Sequence, residues 1–470
     1  MKLAALKTKP LPKALPLRKL LGPSFIILGL GLGSGEVILW PFLASNYGMG
    51  IIWGAILGIT LQFFMNMEIE RYALARGESI FVGMTRKWRA IPHWFIVSTF
   101  LPWIWPGIAA ASATLVVHLL GLSVSNVRWF AIAFLVAMGL ILSLGPVLYK
   151  TVERLQTGLI MFGVPSIFVF SILLADRGGW TSAAQGVIGN GSDFWFLPAG
   201  IPIATFLAAL AYSGAGGNLN LAQSFYIKEK GFGMGKYATG IHSLITGEKK
   251  SASLTGTKFE MNPANKKEFN KWWRVINKEH FLVFWLTGSI TIVLLSLLAF
   301  TTTFGDAGSK SDISFVIRES IAIGEHLVPA FGTFFLIVVS LTLFGTQLTV
   351  YDATSRILAE NVILATGGRL KERHIGKTYY FVLWLMILCG VGIFLAGFTQ
   401  PLQLLIIAAV LNAFAMFVHT GLTLRLNKTM LPKAIGPNKL RTGAMTFAFL
   451  FYGGFSTYVI VTEILKFINK

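Results

Sequence analysis

Glycine-rich runs interrupt two apolar segments of this chain, each of which is long enough to cross a bilayer. The first run covers residues 28–36 (LGLGLGSGE) and the second covers residues 213–220 (SGAGGNLN). Glycine at this density weakens a helix, and irregular backbone at bilayer depth occurs only where it is buried in protein or lines a cavity. Broken helices at corresponding places in two halves of a chain are typical of the central site of an inverted-repeat secondary transporter. The pattern therefore predicts a binding site between two broken helices.

The composition is that of a membrane protein. Of the 470 residues, 54% are hydrophobic and only 13% are charged, whereas about 25% are charged in an average soluble domain. Apolar segments near or above the roughly 20 residues that a spanning helix needs predict an all-α integral membrane protein with about eleven transmembrane helices. The predicted spans, numbered 1 to 11 in chain order, are 22–45, 51–69, 91–120, 128–148, 157–175, 198–226, 281–303, 328–355, 378–398, 401–424 and 443–467.

The basic residues of the chain fall on alternate loops. The formal net charge is +20. Lys and Arg precede span 1 and follow the even-numbered spans, while the opposite loops carry few of them or mixed charge. This distribution predicts a multi-pass protein of the cytoplasmic (plasma) membrane with its N-terminus in the cytoplasm and its basic loops against lipid headgroups. No basic stripe lies outside these loops, so nucleic-acid binding is not expected. The single cysteine, Cys389, excludes a disulfide framework.

Spans 1–5 and 6–10 form two halves, so that each glycine-rich run lies in the first span of its half. An odd number of spans per half requires the two halves to be inverted, which is the LeuT-type arrangement. Between spans 6 and 7, the basic segment 266–278 with Trp272 and Trp273 fits a short interfacial helix, and a solvated basic loop is the alternative. The expected units are a basic cytoplasmic N-terminal segment at 1–20, a first repeat at 21–176, a second repeat at 177–424 with a cytoplasmic loop at 227–280, and a peripheral helix 11 at 425–470.

Three features of the sequence resemble the Nramp family of proton-coupled divalent-metal transporters. Gly22-Pro23-Ser24 opens span 1 as a Gly-Pro pair does in that family. The run in span 1 falls where the family carries an Asp-Pro-Gly-Asn motif, and Asn218-Leu219 falls where it carries the end of Met-Pro-His-Asn-Leu. The resemblance covers about residues 20–425 and implies the LeuT-type fold with discontinuous helices 1 and 6.

The metal-binding residues of that family are altered in this chain. The family's aspartate falls on Gly33, its asparagine on Glu36, its methionine on Ala215 and its histidine on Gly217. Asn412 in span 10 falls near a polar glutamine of the family. A transition-metal site needs imidazole, thioether, thiolate or several oxygen anions. The sequence therefore predicts no transition-metal site and no cofactor.

The broken helices would instead offer backbone amides to a small anion. A break leaves orphan N–H groups at the start of the second half-helix, and glycine lets the backbone come close to a ligand. Close helix packing is the alternative explanation for these glycines. The predicted substrate-binding residues are Gly33, Ser34, Gly35, Ser213, Gly214, Ala215, Gly216, Gly217, Asn218, Asn220 and Asn412.

Glu36 is the only acid in span 1. An intramembrane carboxylate is functional by default, because burying its charge is costly. We expect Glu36 to carry the coupling ion, H⁺ or Na⁺, with the hydroxyls of Thr342 and Thr346 in span 8 as further oxygen ligands. The alternative is a carboxylate that only interacts with the dipole of the second half-helix.

Three functions remain open from the sequence. The first is a secondary transporter of a small anion, such as bicarbonate or a small carboxylate, coupled to H⁺ or Na⁺. The second is a transporter of a hard divalent cation, Mg²⁺ or Mn²⁺, which needs few protein carboxylates. The third is a non-transporting receptor or scaffold. An enzyme is not expected, because the spans contain no nucleophile–base pair. The chain is expected to act as a monomer on a small-ion substrate.

Overall fold

The computed structural model describes residues 3–17, 33–144, 164–238, 254–306 and 312–468, and these are almost entirely helical. The α-helices are α1 (Trp40–Tyr47), α2 (Ile52–Arg76), α3 (Ile80–Lys87), α4 (Ile91–Trp103), α5 (Gly107–Leu119), α6 (Val127–Ser143), α7 (Val164–Leu174), α8 (Arg177–Val187), α9 (Ile203–Ala211), α10 (Gln223–Glu229), α11 (Pro263–His280), α12 (Thr287–Thr303), α13 (Ser314–His326), α14 (Pro329–Ala365), α15 (Ile375–Leu395), α16 (Pro401–Met430) and α17 (Lys439–Ile468).

Short elements connect these helices. Two strands of two residues each, β1 (Lys7–Thr8) and β2 (Thr257–Lys258), pair in parallel. The π-helical turns are Gly35–Leu39 and Phe281–Leu286, and the 3₁₀ turns are Met49–Ile51, Val124–Asn126, Gly217–Ala222, Gly233–Tyr237, Glu372–His374 and Lys433–Ile435.

Eight helical segments among the described residues are long and apolar enough to cross a membrane. They coincide with predicted spans 2, 3, 4, 7, 8, 9, 10 and 11. Spans 1 and 5 are only partly described, and span 6 is divided into two short helices. The eight segments, together with these three, make the chain a multi-pass integral membrane protein, as the sequence predicts. The eight segments are Met49–Arg76, Ile91–Leu119, Val124–Ser143, Pro263–Thr303, Pro329–Ala365, Glu372–Leu395, Pro401–Met430 and Lys439–Thr462.

Proline and glycine set several helix boundaries. Span 3 is divided into α4 and α5 just before Pro106, which cannot donate a backbone hydrogen bond. α2 ends at Gly77, whose φ of 62° is the left-handed conformation that closes many helices. α14 and α16 both begin with a proline in the first turn, where a missing N–H is tolerated.

The two halves pack around short, fully buried segments. α14 packs along α4 and α5, α16 packs along α17 and α9, and α12 packs on α1. α9 and the 3₁₀ turn Gly217–Ala222 lie inside this assembly and are almost completely buried. The packing thus encloses the glycine-rich part of span 6 on all sides.

Residues 3–17, here called the N-terminal strap, lie along one face of the molecule. β1 of the strap pairs with β2, which precedes α11. The Trp272 indole N–H donates to the carbonyl of Pro12 (2.8 Å), and the Tyr237 hydroxyl donates to the carbonyl of Pro10 (2.8 Å). The backbone N–H of Ala14 donates to Glu268 (2.7 Å). We call this surface the N-terminal face.

The described part of the loop predicted at 227–280 is largely helical. α11 fills its second part and runs without interruption through the π-helical turn Phe281–Leu286 into α12. The helix predicted over 266–278 is therefore present, but it is longer than predicted and continuous with the next span. Trp272 is buried and packs on Phe232, and the ring of Trp273 lies 3.8 Å from the guanidinium of Arg71. These aromatic rings pack on protein because α11 is folded back against α2 and the strap.

Candidate functional site

The break in span 6 separates α9 from the 3₁₀ turn Gly217–Ala222. Gly216 and Gly217 have φ values of 73° and 53°, a conformation that favours glycine. Gln62 of α2 reaches into this break. Its amide nitrogen donates to the carbonyl of Ala211 (3.0 Å), and its amide oxygen accepts from the N–H of Gly216 (3.3 Å). One side chain thus bonds a carbonyl and an amide that the broken helix leaves without a helical partner.

Two residues of α16 close the break from the opposite side. The Nε2 atom of His419 lies 3.1 Å from the carbonyl oxygen of Gly217. The Asn412 amide nitrogen donates to the hydroxyl of Tyr212 (2.9 Å), whose ring stacks on Trp103. A Cβ added at Gly217 would overlap the side-chain oxygen of Asn412. The glycine is therefore needed both for its φ and for the approach of Asn412.

Asn218 fixes the start of the second half of span 6 to α4. Its amide nitrogen donates to the hydroxyls of Ser98 (2.8 Å) and Thr99 (2.9 Å). Its amide oxygen is buried and has no hydrogen-bond partner among the described residues. The donor of this amide is used within the protein, and the acceptor remains available.

The break in span 1 is described from Gly33 onward and lies directly against the break in span 6. A Cβ on Gly35 would overlap the backbone carbonyl of Tyr212, and the indole N–H of Trp40 donates to the hydroxyl of Ser213 (2.9 Å). A Cβ on Gly33 would overlap Thr346 of α14. The two broken helices and α14 therefore meet at a common point, which is where the LeuT-type arrangement predicts a site.

Glu36 lies in the π-helical turn Gly35–Leu39, which contacts α9 and α12. Its side chain is 0% exposed, and neither carboxylate oxygen has a hydrogen-bond partner in the described part of the chain. A buried ionised carboxylate without partners costs several kcal/mol. The fold maintains this carboxylate beside the two breaks, although no residue of the described ranges forms a hydrogen bond with it.

Most of the other side-chain atoms without partners among the described residues around the breaks are oxygens. They are the amide oxygens of Asn218 and Asn412 and the side-chain oxygen of Gln347, which follows Thr346 on α14. The two nitrogens in this group are Nε1 of Trp103, which stacks on Tyr212, and Nδ1 of His419. The amide donors of Asn218, Asn412 and Gln62 are bonded within the protein. Oxygens thus predominate among the groups left over, which suits a hard cation. No cluster of three or more His, Cys, Asp or Glu side chains able to hold a metal occurs in the described ranges.

The structure brings together most of the residues predicted from the sequence. Those that lie at the two breaks are Gly33, Ser34, Gly35, Ser213, Gly214, Ala215, Gly216, Gly217, Asn218 and Asn412, and all are buried. Asn220 lies further along the second half of span 6. Thr346 contacts Gly33, whereas the Thr342 hydroxyl donates to the carbonyl of Val338 in its own helix (2.7 Å). Gly22-Pro23-Ser24 and the first part of the span 1 run, residues 28–32, lie outside the described residues.

Four contributing side chains were not predicted: Gln62, Ser98, Thr99 and His419. His419 lies toward the end of span 10 and is completely buried against Gly217. The sequence does carry one signal for Gln62. Polar residues recur every four positions at Gln62 and Asn66 in the mainly apolar span 2 and at Glu70 directly after it. Such spacing marks one face of a helix that must contact other polar groups.

Comparisons with known proteins agree with this architecture. No family model and no curated protein matches the sequence. Two mutant crystal structures of the manganese transporter of Eremococcus coleocola are similar to the chain, with TM-scores of 0.68 and 0.64, 13% identity, and coverage of 98% of this chain and 91% of theirs. Mhp1, a nucleobase-cation-symport-1 family transporter in a closed conformation with bromovinylhydantoin bound, has a TM-score of 0.52 at 11% identity, with coverage of 96% and 94%.

These similarities establish the fold. The chain is an all-α integral membrane protein of the LeuT type, with a five-plus-five inverted repeat and discontinuous helices 1 and 6.

Proposed function

We propose that this protein is a secondary active transporter that moves a small ion by alternating access between its two broken helices. The observation that carries this proposal is the buried, unpartnered carboxylate of Glu36 where the breaks meet. A receptor or scaffold on the same fold would gain nothing from a charge that destabilises the folded state. A group that binds and releases a cation during transport accounts for it. We therefore favour a transporter over a scaffold or an enzyme.

The same geometry supports a hard divalent cation, Mg²⁺ or Mn²⁺, as the substrate. The oxygens at the breaks without partners among the described residues are one carboxyl group and three amide oxygens. Mg²⁺ takes oxygen ligands and keeps several waters, so that one or two carboxylates suffice to bind it. An anion would need several free donors, whereas the amide donors of Gln62, Asn218 and Asn412 are engaged within the protein and the indole N–H of Trp103 is the donor left without a described partner. The manganese transporter of Eremococcus coleocola, which shares the fold, agrees with this choice.

The small anion predicted from the sequence is the second candidate. The consecutive glycines Gly216 and Gly217 support this candidate, because their left-handed conformation lets the backbone come close to a ligand. In either case we propose H⁺ or Na⁺ as the coupling ion, with Thr346 beside the span 1 break as one of its oxygen ligands.

Uptake into proteoliposomes distinguishes the two substrates. Mn²⁺, Mg²⁺ and labelled bicarbonate are offered in parallel under imposed H⁺ or Na⁺ gradients. We expect uptake of the divalent cations and a loss of at least about tenfold in Glu36→Gln, because the neutral amide keeps the shape but not the charge. Glu319→Gln is the matched control, since Glu319 is buried in α13, outside the breaks. Uptake of bicarbonate alone would restore the anion, and full activity of Glu36→Gln would remove Glu36 from the mechanism.

We further propose that the N-terminal face lies in the cytoplasm and that the protein resides in the plasma membrane. The basic loops that follow the even-numbered spans support this orientation. Asn262→Cys, just before α11, should react with a membrane-impermeant thiol reagent only after the cells are opened. Cys389→Ser removes the native thiol as background. Labelling of Asn262→Cys in intact cells would reverse the topology.

A further inference from the structure

A row of polar side chains extends from the central breaks toward the N-terminal face. Gln62, Asn66 and Glu70 lie on one face of α2, four residues apart, and we call them the α2 polar stripe. Gln62 is bonded in the span 6 break. Two helical turns further on, Glu70 accepts a hydrogen bond from the amide nitrogen of Gln223 on α10 (2.6 Å). At about 1.5 Å per residue, Glu70 lies about 12 Å from Gln62 along α2.

The second half of span 6 carries a matching row. Asn220 and Gln223 are three residues apart, and side chains at this spacing align in a 3₁₀ turn such as Gly217–Ala222. The turn contacts α2. Because Gln62 bonds Gly216 and Glu70 bonds Gln223, Asn66 and Asn220 lie between two cross-links that join the same pair of segments.

These two asparagines are the unusual feature of the row. Both side chains are completely buried, and no amide atom of either has a hydrogen-bond partner in the part of the chain that the structure describes. A buried polar group without a hydrogen-bond partner destabilises the folded state. Four such atoms on facing segments indicate that a bound species satisfies them in the functional protein.

Glu70 supplies the charge of this region. The Nδ1 atom of His280 lies 3.1 Å from Glu70 Oε1, the oxygen that also accepts from Gln223. The second carboxylate oxygen of Glu70, Oε2, has no hydrogen-bond partner among the described residues. The arginines nearby contact a different carboxylate, since Arg71 and Arg441 both pair with Glu68. Arg441 acts on Glu70 only at longer range.

The geometry points to a sodium site between α2 and the second half of span 6. Glu70 Oε2 and the side-chain oxygens of Asn66, Asn220 and Gln223 supply four oxygen ligands with a single negative charge. One carboxylate among neutral oxygens suits a hard monovalent cation. His280, whose Nδ1 atom lies within hydrogen-bond distance of Glu70 Oε1, holds the carboxylate in place. This site is separate from Glu36 and does not depend on which substrate the central breaks carry.

Binding of radioactive Na⁺ to the purified full-length protein tests this site. We expect saturable binding by the wild type, with choline chloride replacing NaCl to keep the ionic strength constant. Glu70→Gln and Asn220→Leu should each weaken Na⁺ binding at least tenfold. Glu319→Gln, in α13 outside both sites, should bind Na⁺ as the wild type does. Na⁺ binding that persists in Glu36→Gln and is lost in Glu70→Gln belongs to this site, so a failure of the central site and a failure of this one can be told apart.

Thermal unfolding with and without Na⁺ provides a readout that does not depend on transport. Asn66→Leu removes an unpartnered amide, so the Na⁺-free protein should unfold at the same or a higher temperature while the stabilisation by Na⁺ is lost. Asn361→Leu is the matched control, because Asn361 is a buried asparagine of α14 with an unpartnered oxygen away from this row. The proposal is overturned if Glu70→Gln and Asn66→Leu keep wild-type Na⁺ affinity, if K⁺ or choline stabilises equally, or if the wild type binds no Na⁺.

Discussion

The two helix breaks are built in different ways although they touch. In span 6 the backbone groups around the break are bonded by side chains from neighbouring helices, chiefly Gln62 and His419. In span 1 the break is closed by direct backbone contact, with Gly35 against the carbonyl of Tyr212, and it carries the unpartnered Glu36. The backbone of one break is bonded within the protein, and the other break presents a buried carboxyl group without a hydrogen-bond partner among the described residues.

This difference assigns separate roles to the two breaks. A network whose donors and acceptors are paired is rigid, because any movement leaves buried groups unsatisfied. An unpaired carboxylate has no such restraint and gains most from a ligand. We infer that the span 6 break forms the fixed wall of the site and that Glu36 responds to the ion. The predictions below test this division.

The largest effect is expected at Gly35. A methyl group there would overlap a backbone carbonyl, which has no rotamer to change, so Gly35→Ala should lose more than about 3 kcal/mol and yield little folded protein. Gly217→Ala should be milder despite its φ of 53°, because the Asn412 amide that it meets is a side chain that can turn away. Size-exclusion chromatography and thermal unfolding measure both.

Gly392→Ala controls for the general effect of losing a glycine, since a Cβ there meets nothing within 4 Å. If Gly35→Ala behaved like Gly392→Ala, the tight contact between the two breaks would not exist in the membrane.

The second prediction concerns the wall of the site. Gln62→Leu removes the partners of Ala211 and Gly216 together, and each lost pairing costs about 1–3 kcal/mol. We expect a total loss of about 2–5 kcal/mol in unfolding experiments in detergent. The control is Gln403→Leu on the exposed side of α16, which should change stability little. Equal effects of the two changes would argue that the span 6 break does not need Gln62.

The third prediction has the opposite sign. In metal-free buffer, Glu36→Gln should stabilise the protein by about 1–2 kcal/mol, because it removes a buried charge without partners. The same variant should lose the stabilisation that Mg²⁺ or Mn²⁺ gives the wild type. Thermal unfolding across a metal titration measures both changes. A destabilised Glu36→Gln variant would mean that the carboxylate is already paired in the resting protein.

The smallest effect is expected at Asp312, a carboxylate that has a hydrogen-bond partner and can therefore be compared with Glu36. Asp312, between α12 and α13, accepts the backbone N–H of Leu402 at 2.8 Å. Burial nevertheless raises the pKa of Asp312 from 3.8 to about 6. The pKa of Asp312 is higher in the folded state than in the unfolded state, so protonation of Asp312 stabilises the folded protein. This stabilisation is complete below pH 3.8 and is lost as the pH rises through about 6.

We expect Asp312→Asn to remove this pH dependence of the free energy of unfolding. A full two-unit shift of the pKa would correspond to roughly 3 kcal/mol. Because Asp312 is partly exposed to solvent, we expect a change of about 1 kcal/mol. Unfolding curves between pH 4 and 7 measure it. A wild-type protein that becomes more stable relative to Asp312→Asn over that range would contradict the sign.

The helices could be predicted because few backbone conformations satisfy their own hydrogen bonds inside a bilayer. Apolar runs of sufficient length must be helical in lipid, so eight of the predicted spans reappear within one helical segment each. Boundaries were less predictable. α2 continues to Arg76 and α14 to Ala365, beyond the apolar windows, because their polar ends are buried by other parts of the protein. Sequence hydropathy cannot anticipate this burial.

The candidate site was predictable only in part. Glycine clusters and an isolated intramembrane acid located both breaks and Glu36. The contribution of Gln62 depends on a contact between residues far apart in sequence, which no local pattern encodes. His280 was overlooked for the same reason. It lies at the junction of a polar and an apolar segment, yet the fold buries it between Phe63, Phe284 and Glu70.

The N-terminal strap has a consequence for how the protein is made. Its strand β1 pairs with Thr257 and Lys258, which follow spans 1–6 in the sequence. The strap is therefore synthesised long before its partner strand. It stays unpaired at the membrane surface until more than half of the chain has been synthesised and inserted. Closing such a long loop is an entropic cost that only the finished second half can offset. Docking of the strap is thus a late event of assembly, and a chain truncated before β2 would leave β1 unpaired and open to proteolysis.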